Sequence, residues 1–206
     1  MKKRIATIKR KTKETKISLK LNIDGTGKTE INTGIGILNH MLELFAFHGL
    51  FDLEIIAKGD LKVDIHHTNE DIGIVLGDVF KEALGDKKGI ARSASVSWPM
   101  EDVLATVAVD ISGRGFFKFC GLEGKDIGQT FAVGDKEGYE LNDATHFFDS
   151  FAKHLGMNLN IKVTPLNYDL HTTLEPIFKA LGKALDQATQ IDPRRRGIPS
   201  TKGIID

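Results

Sequence analysis

Residues 63–73 read VDIHHTNEDIG, and further along the chain residues 169–175 read DLHTTLE. Each stretch sets a histidine four positions ahead of a glutamate, His66 with Glu70 and His171 with Glu175. On an α-helix positions i and i+4 share one face, whereas i+1 is turned by about 100°. His66 and Glu70 can therefore grip one metal ion, and His67 must reach toward another. The same geometry lets His171 and Glu175 share a metal while Thr172 points elsewhere. A further histidine precedes each pair: His40 lies 26 residues before His66 (66 − 40), and His146 lies 25 before His171 (171 − 146). The repeated object is thus a set of polar residues, which reads as a duplicated chain with two metal sites.

The patterning around these stretches repeats in the same order. KISLKLNIDGTG (16–27) alternates like a strand and ends in a turn, GILNHMLELFAFHG (36–49) has apolar residues at helical spacing, and FDLEIIAKG (51–59) reads as a strand. A helix then runs from about Thr68 to a glycine stop at Gly85. In the second half DVLATVAVDISGRG (102–115) and NLNIKVTP (158–165) alternate, whereas ATHFFDSFAKHLG (144–156) and LEPIFKALGKALDQA (174–188) are helical. The order strand, strand, helix, strand, helix occurs twice, giving half-repeats at 1–88 and 89–191 and a non-helical tail at 192–206. Residues 115–143 are glycine-rich without a clear period and read as a loop or irregular hairpin.

Composition sets the limits. The chain has 206 residues, 41% hydrophobic and 27% charged, enough for one sizeable core or two small domains. Basic and acidic side chains both total 28, so nothing in the balance suggests nucleic acid or an anionic membrane as a partner. With Cys120 the only cysteine, a disulfide framework is excluded and a small buried thiol is expected. The basic N-terminus has no apolar segment behind it, and no stretch approaches a membrane span, so a cytoplasmic protein is expected. A single HxxxE on a helix is most often an exposed polar pair, and His154 reads as a surface or capping residue. Adjacent histidines recurring in a duplicated unit argue for metal, and imidazole with carboxylate suits Mn, Fe, Zn or Co rather than Ca or Mg.

TKET (12–15), NIDGTG (22–27), TGIGILNHML (33–42), HGLFDLEIIAKGDL (48–61), HHTNEDIGI (66–74), VDISGR (109–114), HFFDSFA (146–152), EPIFKALGKAL (175–185) and DPRRRGIPSTKG (192–203) together resemble the imidazoleglycerol-phosphate dehydratases of histidine biosynthesis. The resemblance covers nearly the whole chain in order, apart from 115–143. It implies an α+β fold of the ribosomal protein S5 domain 2-like kind, two copies of a half-domain with a four-stranded sheet backed by helices, assembled into a 24-subunit homo-oligomer. It also implies a hydro-lyase with two Mn²⁺ per chain at sites between subunits, converting D-erythro-imidazole glycerol phosphate to imidazole acetol phosphate through a metal-stabilised imidazolate. By position, His40, His67, His171 and Glu175 would bind one metal, and His66, Glu70 and His146 the other, with Glu70 and Glu175 counted as catalytic. Glu14 matches the acid/base residue beside the leaving hydroxyl. His40, His48, Arg92, Arg114, Ser200, Thr201 and Lys202 match substrate and phosphate positions, chemically suited to a phosphate dianion. Arg194, Arg195 and Arg196 read as solvated charges.

Four departures bear on this. Thr172 stands where the second motif has its second histidine, Asn39 replaces an aspartate, Leu44 replaces a glutamine, and the region after SGR is longer. Two readings therefore remain: a dehydratase with one weakened metal site, and a divergent member with lost or altered activity. A metal-dependent hydrolase of unrelated fold is a more distant third.

Overall fold

The computed structural model describes residues 3–120, 138–167 and 169–205. Its first half contains β1 (Ile5–Lys11), β2 (Lys16–Asn22), β3 (Thr29–Asn32), α1 (Gly36–Gly49), β4 (Asp52–Lys58) and α2 (His66–Leu84). The second contains β5 (Ser93–Met100), β6 (Val103–Asp110), β7 (Phe116–Cys120), α3 (Leu141–Leu155), β8 (Asn158–Thr164) and α4 (Leu170–Thr189). Each half forms a four-stranded mixed sheet, β1-β2-β4-β3 and β5-β6-β8-β7, with the last pair parallel and the others antiparallel. Identical strand order and sense in both sheets is the duplication at the level of topology.

The alternation seen in the sequence sets the register. Ile17, Leu19 and Leu21 of β2 lie opposite Ala57, Ile55 and Leu53 of β4, all buried. In the second sheet Ala105, Val107 and Val109 lie opposite Val163, Ile161 and Leu159, again all buried. Because side chains alternate across a strand, one face of each sheet is apolar and must be covered. Helices α1 and α2 cover the first sheet, and α3 and α4 cover the second. The two helical layers then pack on each other, α1 against α4 and α2 against α3. Phe45 and Phe80 of the first half meet Phe151 of the second at ring-centroid distances of 6.2 and 5.7 Å. Each fully buried side chain of this size is worth about 1.5–3 kcal/mol, so the halves share one core.

Glycines let the helix layers approach. A Cβ on Gly182 of α4 would sit 2.2 Å from the carbonyl oxygen of Phe45 on α1, and one on Gly73 of α2 would sit 2.7 Å from that of Phe147 on α3. Gly49, the last residue of α1, does the same. The left-handed residue that ends α1 is Leu50 (φ 57°), and Gly49 is small because Phe51 and Gly182 crowd it.

Three strands precede the first helix in each half, where the sequence reading had two. β3 has four residues and no clear alternation, β1 carries its inward pattern on Ala6, Ile8 and Arg10, and β5 (SASVSWPM) is mostly small or polar. Residues 116–120, expected to be loop or hairpin, form β7 parallel to β8; the remainder of that expectation, 121–137, lies outside the described residues. Cys120, expected to be buried, is partly exposed on that strand. The tail is non-helical as expected, held by a Gly89 N–H donated to the Gly197 carbonyl. Among the described residues no helix is long and apolar enough to cross a membrane.

Candidate metal centre

The helix crossings bring polar residues of opposite halves together. His40 sits on α1, and His171 and Glu175 lie one turn apart at the start of α4. Their potential ligand atoms all lie within 4.8 Å of one another. His171 Nε2 is 2.7 Å and His40 Nε2 3.6 Å from the same Glu175 oxygen, Oε2, and the two imidazoles stack at 5.1 Å. Two imidazole nitrogens and a carboxylate converging from rigid helices form a donor set suited to a first-row divalent ion. The other Glu175 oxygen takes the Lys179 ammonium at 2.5 Å. Burial works to raise the Glu175 carboxyl, but the Lys179 hydrogen bond and charge, with His171, outweigh it and hold the group below the usual carboxylate range.

The second cluster is its counterpart with the halves exchanged. His66 and Glu70 lie one turn apart on α2, with Nε2 and Oε2 3.9 Å apart, and His146 of α3 approaches His66 with ring centroids 4.8 Å apart. In both clusters the first helix of one half supplies one histidine, and the second helix of the other half supplies the His/Glu pair. Asp143, one turn before His146, has its carboxyl raised by burial and by Asp64, against the Glu140 N–H and the nearby imidazoles.

The i+1 residues turn away from these clusters. His67 places Nδ1 3.1 Å from Asp60 Oδ2, which pushes its imidazole above the ordinary value, with the charges of Glu14, Asp60 and Asp64 adding to the effect against desolvation. A carboxylate on one ring nitrogen is the usual arrangement behind a metal-ligating histidine, and it leaves Nε2 for a further ligand. Within one chain His67 does not join His40, His171 and Glu175. Thr172 is buried, and its N–H donates to the capping Asp169 carboxylate at 2.7 Å.

Glu14 stands at the tip of the β1–β2 turn, whose backbone N–H groups at Glu14 and Thr15 donate to Thr12 Oγ1. Beneath it, buried Asp71 accepts from Arg10 and from the Thr15 hydroxyl, tying the turn to α2 one residue past Glu70. His48 lies two turns along α1 from His40, its ring 4.7 Å from Trp98, with its pKa lowered by burial and by the Lys179 and Lys183 charges.

The phosphate candidates collect elsewhere. Arg92 forks onto Asp110, Nε at 2.6 Å and Nη2 at 3.0 Å, and its Nη1 donates to the Pro199 carbonyl at 2.9 Å, anchoring the turn that carries Ser200, Thr201 and Lys202. Arg114 is exposed at the same end of the sheet, after β6. The backbone N–H of Arg92 donates to Ala188 near the end of α4, 13 residues past Glu175 (188 − 175), or about 20 Å along the helix. One chain therefore keeps the phosphate candidates far from the His40, His171 and Glu175 cluster.

Asn39, where the resemblance puts an aspartate, is an acceptor: its Oδ1 receives the Thr33 N–H at 2.9 Å and the Thr33 hydroxyl at 2.6 Å. Two neighbours were not singled out in the sequence. Lys179 had a signal, its i+4 spacing from Glu175; Asp60, in a turn seven residues before His67, had none.

Known proteins are similar to this chain in sequence and fold. The sequence matches the family described as imidazoleglycerol-phosphate dehydratase over residues 33–185. It is 50% identical over 202 residues to the imidazoleglycerol-phosphate dehydratase of Pelobacter propionicus, covering 98% of this chain and 99% of that one. The crystal structure of IGPD from Pyrococcus furiosus in complex with (S)-C348 is similar with a TM-score of 0.78 and 34% identity, covering 96% of this chain and 99% of that one. The Staphylococcus aureus enzyme gives 0.77 and 32%, covering 91% and 99%.

Proposed function

The chain belongs to the imidazoleglycerol-phosphate dehydratase family, hydro-lyases of histidine biosynthesis, and on that premise we propose that it dehydrates D-erythro-imidazole glycerol phosphate to imidazole acetol phosphate in a divalent-metal-dependent, cytoplasmic homo-oligomer of 24 subunits. The observation that carries the metal dependence is the convergence of His40, His171 and Glu175 on one point from two halves of the chain. These three residues would hold one ion, with His67 of a neighbouring subunit, and His66, Glu70 and His146 the other. Mn²⁺ is our choice of ion, consistent with mixed nitrogen and oxygen donors. When bound, such ions supply Lewis acidity that stabilises negative charge on the substrate's imidazole.

The chain's own residues supply the remainder. Glu14, on its anchored turn, is the acid/base group that removes the carbon-bound proton beside the ring and returns a proton to the departing hydroxyl. Lys179 favours the ionised, ligating form of Glu175 against the opposing effect of burial. Arg114, Ser200 and Lys202 receive the phosphate, and Arg92 holds their turn in place through the Pro199 carbonyl. Because this group lies far from the His40 cluster of its own chain, a single substrate can touch both only if different subunits contribute them. We read 1–88 and 89–191 as the two half-repeats and 192–206 as the phosphate-binding tail.

Thr172 favours a second reading, a family member with altered activity, because its buried backbone link to Asp169 brings no imidazole to the shared position. The test is product formation by the Mn²⁺-loaded protein together with metal stoichiometry by calorimetry. The first reading expects turnover that Glu175→Gln abolishes, and Thr172→His is expected to tighten the weaker ion by about tenfold or more, since even residues that only support a ligand contribute on that scale. An inert wild-type protein made active by Thr172→His would instead establish the second reading.

A further inference from the structure

Tyr139 is 1% exposed and Asn69 is fully buried, yet neither takes part in the chemistry described above. The Tyr139 hydroxyl donates to Asn69 Oδ1 at 2.9 Å, and Asn69 Nδ2 donates to the backbone carbonyl of Asp143 at 2.7 Å. A buried amide with both ends engaged is fixed in orientation, and losing either partner leaves a polar group unsatisfied. The location gives the chain its significance. Asn69 lies on α2 between His66 and Glu70, and Asp143 is in the first turn of α3, one turn before His146. Tyr139 sits just ahead of that turn, where Glu140 and Asp143 close a reciprocal capping box. One turn along α2, Gly73 brings α3 to close contact at Phe147. The glycine sets how near the helices lie and the buried Phe147 and Phe151 set which face of α3 meets the core, while the Tyr139, Asn69, Asp143 chain fixes the fine rotation of its first turn against α2, beside His146.

We propose that Tyr139 and Asn69 are positioning residues for the second cluster: their buried hydrogen-bond chain sets the rotation of α3 and so holds His146 against His66 for divalent-metal binding. The proposal rests on the metal reading above. The hydrogen-bond chain sets α3 against α2 and leaves the Asp60 anchor of His67 in place, so the ion of His40, His171 and Glu175, which His67 completes, does not depend on it.

Cobalt(II) titration of the intact oligomer, followed by its visible absorption, tests this, with His146→Ala and His171→Ala assigning the two classes of bound ion. Tyr139→Phe is expected to weaken the His146 class about tenfold and alter its absorption bands, leaving the His171 class unchanged, in line with the loss seen when residues behind a ligand are removed. The double variant Tyr139→Phe, Asn69→Leu replaces the hydrogen-bonded pair with an apolar one and is expected to recover thermal stability without recovering cobalt affinity. Equal weakening of both classes, no change in either, or affinity that returns with stability would overturn the positioning role. A wild-type protein that binds no cobalt would overturn the metal reading and this proposal with it, and the two failures are thereby distinguishable.

Discussion

At the scale of the residue, the decisive contrast lies between positions i, i+1 and i+4 of one helical turn. His66 with Glu70 and His171 with Glu175 lie on common faces, whereas His67 and Thr172 turn toward aspartates that precede their helices. Glu175 shows how neighbours outweigh burial. Its depressed carboxyl contributes stability that is present above its unfolded pKa and is lost as pH falls through the lower folded value. In Lys179→Met the raising effect of burial loses its main opponent. The Glu175 carboxyl of the metal-free variant is then expected to titrate at higher pH than in the wild type, which carbon-13 NMR of the carboxyl measures; an unchanged titration would remove Lys179 from this role.

At the scale of the element, close helix crossings carry the arrangement. Alanine normally favours a helix over glycine by up to about 1 kcal/mol. At Gly182 that gain is overridden, because the added Cβ would sit 2.2 Å from a backbone carbonyl on α1 that cannot move aside like a side chain tip. Gly182→Ala is expected to destabilise the fold by about 1–3 kcal/mol, the usual cost of overpacking, read from urea unfolding. It is also expected to weaken the His40, His171 and Glu175 ion before the His146 one, since only α1 and α4 are forced apart. A stabilised variant would show that the crossing is looser than drawn.

At the scale of the whole molecule, one chain builds two histidine and carboxylate clusters and keeps its phosphate candidates far from the one formed by His40, His171 and Glu175. Complementation follows from that separation. Glu175→Gln and Lys202→Ala chains, each inactive or nearly so alone, are expected to regain measurable dehydratase activity when co-assembled, because some shared sites then receive both intact groups. Mixed oligomers as inactive as their parents would rule out a site shared between subunits.

What was legible in the sequence had a short range. Strands β2, β4, β6 and β8 declared themselves by alternation of buried Ile, Leu and Val, the helices by their apolar spacing, and the paired ligands by the i and i+4 rule. The recurrence of His40 and His146 ahead of those pairs disclosed the duplication. Strands β1, β3, β5 and β7 stayed hidden because pairing with a neighbour holds them, more than their own patterning does. By itself, then, the sequence determined the half-repeat, most of its elements and which histidines and glutamates stand one helical turn apart, since these follow from bonds and periods within a few turns of chain. Only the tertiary structure decided that α1 pairs with α4 and α2 with α3, that each cluster draws on both halves, and that Arg92 and the Ser200–Lys202 turn gather at the far end of α4. Those outcomes depend on which apolar faces and glycines meet across the core, a matter of packing between residues distant in sequence that no local pattern encodes.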